Sequence, residues 1–399
     1  MSMSDARKAE WSLKYPTIED LRLRGRRRTP RFAFDYVDGA VGASELNMVR
    51  NAEALDAIEI VPRYGSVNFT ANTEVELFGE TYAMPVAIAP MGIPSLVLPN
   101  GEEVMARAAQ AHRFPLALGC VAGATVERIA ELAPDNLWFQ LYRQPANELA
   151  VDMDLVRRAG DVGVKVLIVT LDVPSRAKRP RERRDRLVIP YSHSVRTVTE
   201  ALKHPTWLMA YLRHGMRPFA NYRPYAGENA SDKDVIEFVR RETVGAFTWD
   251  EVAQFRDAWP GPLVVKGLLH PGDAERAVSI GADGIEVSNH GGRQLEAAPP
   301  AIDCLPAVVD AIGGRAKILF DSGIRSGIDV VRAMALGADF TLAGRAFMYG
   351  LCALGEEGPE YVASFFQDEI AVAMRQIGVQ TYAELRDLDI RHPGAFNFG

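Results

Sequence analysis

The sequence predicts a closed barrel of eight parallel strands wrapped by helices, the (β/α)8 architecture, on two observations. From residue 84 onward, short apolar runs of strand length alternate eight times with longer segments of helical period. The runs are continuously apolar rather than alternating, as expected of strands covered on both faces. An open doubly wound sheet is the competing architecture, but no Gly-x-Gly-x-x-Gly opens its first helix.

The runs fall at residues 85–90, 115–119, 137–142, 165–172, 263–267, 284–289, 317–323 and 340–344, with helical patterns at 102–112, 126–132, 156–162, 274–280 and 330–336 between them. A single domain over 1–399 is expected, with the barrel at 84–350, an accessory segment at 1–80 and C-terminal helices and tail at 351–399. In the accessory segment, Thr17-Ile18-Glu19-Asp20 carries the Thr-x-x-Asp of a capping box. The Arg-rich run at 22–28 reads as a solvated helix face, with acidic lipid head groups as the alternative contact.

The gap between the fourth and fifth runs is too long for one crossover and predicts an insertion at 180–255. Its segment 202–216 is apolar and aromatic, with Trp207, Leu208, Met209, Tyr211 and Leu212, and a Pro- and Tyr-rich passage follows at 217–227. Long insertions at the C-terminal ends of barrel strands commonly act as lids, and an extra helix packed on the barrel is the plainer account.

Composition narrows the function. The chain has 399 residues, 48% apolar and 24% charged, which suits a soluble protein with a large core. A net charge of −7 and a pI near 5.6 argue against a nucleic-acid partner. Cys120, Cys304 and Cys352 have neither metal-ligand spacing nor disulfide-scaffold density; no metal is expected, and a reducing, cytoplasmic setting is. Residues 1–15 lack the apolar core of a secretory signal, and no run of 18 apolar residues predicts a spanning helix.

Functional groups of such barrels gather at strand C-termini. The sixth run ends in Ser288-Asn289-His290-Gly291-Gly292-Arg293-Gln294-Leu295-Glu296, which sets an imidazole and a guanidinium three residues apart on a Gly-loosened turn. An imidazole takes a proton near neutral pH and a guanidinium fork suits a carboxylate, so base and anchor together suggest an acid substrate. Other runs also end in polar groups: Gln140 and Tyr142, Thr170 and Asp172, Lys266, and Asp321 and Arg325. Singly each would pass for a cap or a satisfied core group, but jointly they fit one ligand.

The nine-residue string resembles the signature of the FMN-dependent 2-hydroxy acid oxidase and dehydrogenase family, and Tyr36 with Gly39-Ala40 matches that family's early Tyr-x-x-Gly-Ala segment. The resemblance runs from about Tyr36 to Gly350. It implies FMN as cofactor and His290 as the base that takes the substrate hydroxyl proton, oriented by Asp172. The substrate carboxylate would fall to Arg293 and Arg179, with hydroxyl contacts from Tyr36 and Tyr142. Around the flavin it implies Ala89, Pro90 and Gly92 near N5, Gly119 and Ser288 in contact, Gln140 and Thr170 on the pyrimidine ring, and Lys266 by N1. Asp321, Gly323, Arg325, Gly344 and Arg345 would hold the phosphate.

Further implications are a homo-oligomer, tetramer or octamer, and electrons passed to a quinone or to oxygen. The insertion resembles that of the family's membrane-associated dehydrogenases, which implies peripheral contact with the inner face of a membrane. Gly92 stands where strong oxidases carry alanine, so a dehydrogenase slow toward oxygen is expected over a soluble oxidase. The chain departs from the pattern at Gly119, where a hydroxyl side chain is usual, at Ser322, and at Val121, which replaces an aromatic and predicts room for longer aliphatic or aryl substrates. Two His-Pro-Gly triplets, at His270 and His392, read as ordinary turns, without haem. The rivals are a flavin isomerase or peptide-modifying barrel, which lacks the full set His290, Arg293, Arg179 and Tyr142, and a non-catalytic phosphometabolite-binding barrel.

Overall fold

The computed structural model describes residues 3–65, 69–146, 148–185 and 195–398. Eight parallel strands close into a barrel: β1 (Val86–Met91), β2 (Leu116–Gly119), β3 (Leu137–Leu141), β4 (Val166–Thr170), β5 (Leu263–Leu268), β6 (Gly284–Val287), β7 (Lys317–Phe320) and β8 (Phe340–Ala343). Neighbours in sequence are neighbours in the barrel, and β8 closes on β1 through Thr341 opposite Val86. All eight expected runs are strands. Their outward side chains pack under the helices, and their inward ones form a second core of small and large residues, among them Ala87, Ala117, Ile168, Trp138 and Phe340. A hairpin of Val75–Leu77 and Glu80–Tyr82 plugs the N-terminal end of this inner core, where the Trp138 indole N–H donates to the Tyr82 hydroxyl at 3.2 Å.

Parallel pairing keeps the strand C-termini at one rim. Thr170 lies opposite Lys266, and Lys266 opposite Glu286, so three polar side chains share one level. The helix Arg345–Leu354 runs through the expected boundary at 350, and Gly358–Ile377 follows it as a long outer helix.

The capping box at Thr17 and Asp20 is formed, and it opens the helix Ile18–Arg28. The solvated-face reading holds for Arg26 and Arg27, which are exposed, and is corrected for the other three arginines. Arg24 and Arg28 donate to the Ala353 carbonyl at 2.8 and 3.0 Å, and Arg22 pairs with the buried Asp38. The cause is close helix packing: Gly25 lies against Cys352, where a Cβ would come within 2.6 Å of that side chain.

The insertion carries the helices Pro180–Arg184, Val195–Leu202, Pro205–His214 and Asp232–Glu242, joined by irregular segments; its residues 186–194 lie outside the described residues. Trp207 is buried edge-on against Phe32 and donates to the Leu96 carbonyl at 3.1 Å, so this helix is pinned to the barrel. Met209 and Leu212 on the same helix are 62% and 75% exposed, and Leu202 before it is also exposed. Among the described residues no helix is long and apolar enough to cross a membrane.

Candidate active site

The β6 loop is held from both sides before it presents His290. Ser322 Oγ accepts the N–H groups of Asn289 and Gly291 at 3.1 and 3.0 Å, and the Asn289 carboxamide exchanges hydrogen bonds with Asn51. Under this restraint His290 adopts φ +60°, a left-handed conformation uncommon for a non-glycine residue. Its Nδ1 lies 3.0 Å from Asp172 Oδ1 and its Nε2 3.3 Å from the Tyr142 hydroxyl. A carboxylate on Nδ1 assigns the proton to that nitrogen and leaves the Nε2 lone pair toward the cavity. Gly267, at φ +96°, makes room for the pair, because a Cβ there would lie 2.5 Å from the Asp172 side chain.

Arg293 and Arg179 meet, as expected, but through a residue that sequence reasoning missed. Both donate to Glu182 Oε1, at 2.9 and 3.1 Å, and Arg179 Nε also donates to the Arg293 carbonyl at 3.2 Å. Arg293 further donates to the carbonyls of Tyr36 and Gly39, each at 2.8 Å, and its guanidinium stands 5.2 Å over the Tyr36 ring. Burial, and then the neighbouring charge of Arg179, lower the Arg293 pKa. Nothing in the segment 179–184 marks Glu182 in advance, since it sits among arginines in a charged run that reads as solvated.

A cavity of about 780 Å³ opens between these groups, in the size range of cofactor sites. Of the expected residues, His290, Tyr36, Tyr142, Arg179, Arg293, Ala89, Pro90, Gly92, Thr170, Lys266, Asp321, Gly323, Arg325, Gly344 and Arg345 line it. Gly119, Gln140, Asp172 and Ser288 stand behind the lining. Gln140 Nε2 donates to Thr170 Oγ1 at 2.9 Å, and a Cβ at Gly119 would press on the Met91 carbonyl at 3.0 Å and on Gln140 at 3.3 Å. A hydroxyl side chain at 119 therefore needs these neighbours to shift. At Gly92 a Cβ would reach within 2.5 Å of the Tyr36 hydroxyl.

The Arg345 side chain does not point free into the cavity. It donates to the carbonyls of Val37, Gly291 and Gly39 at 3.0, 2.7 and 2.9 Å and clamps the N-terminal segment to the rim. What this end offers is backbone: the helix Arg345–Leu354 begins at Gly344 with no side-chain cap, so its first N–H groups are open donors. Arg325, whose Nη1 donates to the Ile324 carbonyl at 2.8 Å, lines the same end.

Val121 lines the cavity as expected, but the insertion returns aromatic bulk there. Phe219 joins the lining, Ala220 N–H bonds the Ala122 carbonyl at 2.9 Å, and the Arg217 backbone lies 3.0 Å from a Cβ built on Gly123. Val239, Arg240, Thr243 and Val244 also line it, so the second half of the insertion is a wall of the site.

The residues fit a flavin mononucleotide. A slot walled by Ala89, Pro90, Met91 and Leu342 can take a flat ring, polar groups from β4 and β5 meet one edge, and an uncapped helix start can take a phosphate. Fold and rim define an α/β-barrel enzyme with its chemistry at the strand C-termini.

The family model "FMN-dependent dehydrogenase" matches residues 25–392. An L-lactate dehydrogenase of Chromohalobacter salexigens is 38% identical over 368 residues, covering 92% of this chain and 93% of its own. One of Pseudomonas aeruginosa is 38% identical over 378 residues, with 94% and 98% coverage. Among solved structures, one described as the monotopic membrane protein (S)-mandelate dehydrogenase superposes with a TM-score of 0.88 at 32% identity, covering 94% of this chain and 99% of that one. A mandelate oxidase with (S)-4-hydroxymandelic acid gives 0.81 at 33%, with 95% and 99% coverage. The chain belongs to the FMN-dependent 2-hydroxy acid dehydrogenase family. It is an oxidoreductase of the FMN-dependent 2-hydroxy acid dehydrogenase/oxidase class.

Proposed function

We propose that the protein oxidises an L-2-hydroxy acid, lactate or a longer aliphatic or aryl homologue, to the 2-oxo acid and passes the electrons to a quinone. The observation that carries the reading is the chain Asp172–His290–Tyr142 facing the same cavity as the Arg179–Arg293 pair. Bound FMN supplies the two-electron acceptor for the substrate carbon. The two arginines bind the carboxylate in the place where Glu182 now satisfies them, which requires Glu182 to yield. Nε2 of His290 takes the hydroxyl proton, and Asp172 stabilises the imidazolium that results. The Tyr36 and Tyr142 hydroxyls orient the substrate. Thr170, backed by Gln140 and Gly119, would meet the pyrimidine edge, and Lys266, which donates to Ser288, would stand by N1. Gly323, Arg325 and the N–H groups after Gly344 would receive the ribityl phosphate, beside the Asp321 carboxylate, which as an anion paired with Lys266 does not itself bind it.

Two observations support a dehydrogenase at a membrane surface: the bare Gly92 beside Tyr36, and the exposed Leu202, Met209 and Leu212 on the insertion. Trp207, which pins the same helix to the barrel, favours the alternative of a soluble oxidase with a packed insertion. One experiment separates them. The yellow protein is reduced anaerobically with L-lactate or a longer homologue and mixed with oxygenated buffer or a quinone analogue. Fast reoxidation by the quinone alone is expected. Reoxidation by air at the rate of turnover, with stoichiometric peroxide, makes the protein an oxidase, and protein without flavin absorbance defeats the whole reading.

A further inference from the structure

Beneath the cavity floor lies an acid for which the proposed chemistry has no use. Glu286 points from the middle of β6 into the barrel and is fully buried, flanked on the sheet by Lys266 and Leu319. Its Oε1 accepts from Lys266 Nζ, and its Oε2 has no hydrogen-bond partner. Lys266 is claimed a second time from above, by Asp321, and donates to Ser288 Oγ at 3.1 Å. Asp172, at the end of β4, adds its charge to the field at Lys266.

Lys266, Glu286 and Asp321 would together carry one excess negative charge if both acids were ionised. A buried carboxylate oxygen without a donor is costly, whereas a neutral carboxyl is cheaper to leave so. The proton belongs on Glu286 rather than Asp321, because Asp321 lines the cavity and also accepts from Ser322 Oγ at 2.7 Å. In keeping with this, burial pushes the Glu286 carboxyl up to about 8 against the pull of Lys266, while Asp321 is held below its usual value.

We propose that Glu286 is a positioning residue that carries a proton under the flavin site at neutral pH, leaves Lys266 a single carboxylate partner, and, at higher pH where it has lost that proton, takes one up again when negative charge builds at the flavin N1 edge. The inference rests on the reading that Lys266 faces N1. In a redox titration the dye or electrode supplies two electrons to the flavin. Where Glu286 starts ionised, solvent supplies one proton, which converts its carboxylate to a carboxyl. Besides the proton that the reduced flavin itself takes up, this O–H bond is the only one made, and none is broken. Reduction then draws one more proton from solvent than the flavin itself requires.

Two measurements on the holoenzyme test this. Infrared spectra of protein labelled with 13C-glutamate are expected to contain a protonated carboxyl band at neutral pH that shifts with the label, fades as pH rises past about 8, and is missing in Glu286→Gln. Absence of that band in the wild-type protein overturns the proposal, and this arm needs no variant to fold. The reduction potential of wild-type protein is expected to fall more steeply with pH than that of Glu286→Gln above neutrality, by the equivalent of one additional proton per two electrons. Parallel slopes overturn it. If the protein purifies without flavin, the functional reading fails instead, and the infrared band of the flavin-free protein, compared with that of Glu286→Gln to set aside the buried Glu102, still decides where the proton sits.

Discussion

At the scale of single residues, His290 combines a strained backbone with two ring contacts, so its replacement separates chemistry from folding. Glutamine at 290 loses the base but keeps a polar side chain on a loop that Ser322 and Asn51 hold independently. We expect His290→Gln to remain folded and yellow while turnover drops by roughly 10² to 10⁴, read by steady-state kinetics. A near-normal rate would remove His290 from its role. Arg293→Lys keeps the charge and loses the fork that now spans Glu182 and two carbonyls. The expected result is a large rise in KM and fall in kcat/KM for a 2-hydroxy acid, with little change for a substrate lacking the carboxylate; equal losses on both would refute the assignment. These residues were legible in the sequence because each ends a strand and the barrel brings all strand ends to one rim. Glu182, Glu286 and Asp38 were not. Each acts through a partner far away in the chain, and Glu286, inside an apolar run, had no polar neighbour to betray it.

At the scale of elements, Asp38 joins three pieces that the sequence presents as unrelated. Its carboxylate accepts from Arg22 in the N-terminal helix, Arg181 in the insertion and the Tyr349 hydroxyl in the helix after β8, the last at 2.8 Å. Burial disfavours the charge, but Arg22, Tyr349 and Arg181 outweigh it and hold the pKa well below the ordinary carboxylate value. A depressed folded-state pKa means stability that is present above the unfolded value, near 4, and lost as pH falls through the folded one. Asp38→Asn should therefore lower stability by about 3–5 kcal/mol near neutral pH, because two arginines lose their buried partner. It should also flatten the decline of stability on acidification, measured by denaturant unfolding from neutral to acid pH. A variant as acid-sensitive as the wild type would show that Asp38 does not set that decline. The strands were legible from periodicity alone, whereas the hairpin plug and the seating of Trp207 depend on which surface an element meets.

At the scale of the whole molecule, a net charge of −7 conceals a positive mouth. Arg176 and Arg240 line the cavity without an ion-pair partner among the described residues, and burial together with the charges of Arg240 and Arg179 lowers the Arg176 pKa. Such a funnel raises the encounter rate of an anionic substrate and is screened by salt. Raising ionic strength from about 10 to about 150 mM, over which the Debye length falls from roughly 30 to 8 Å, is expected to lower kcat/KM for a 2-hydroxy acid several-fold with kcat little changed. Replacing both Arg176 and Arg240 by glutamine should remove most of that dependence, and an unaltered salt response in the double variant would count against the funnel.

The Arg345 clamp has a consequence for the order in which the protein comes into being. Its three carbonyl partners lie at Val37, Gly39 and Gly291, so Tyr36 and the segment around it leave the ribosome more than three hundred residues before the side chain that seats them. Contacts so distant along the chain form late, since loop closure precedes any reward. A nascent chain halted before Arg345 would therefore hold all eight barrel strands, with its substrate wall seated by Arg293 and Arg181 but not yet clamped to the rim. Activity is expected to emerge only once Arg345 and its helix have been made, which a series of C-terminally truncated chains would measure.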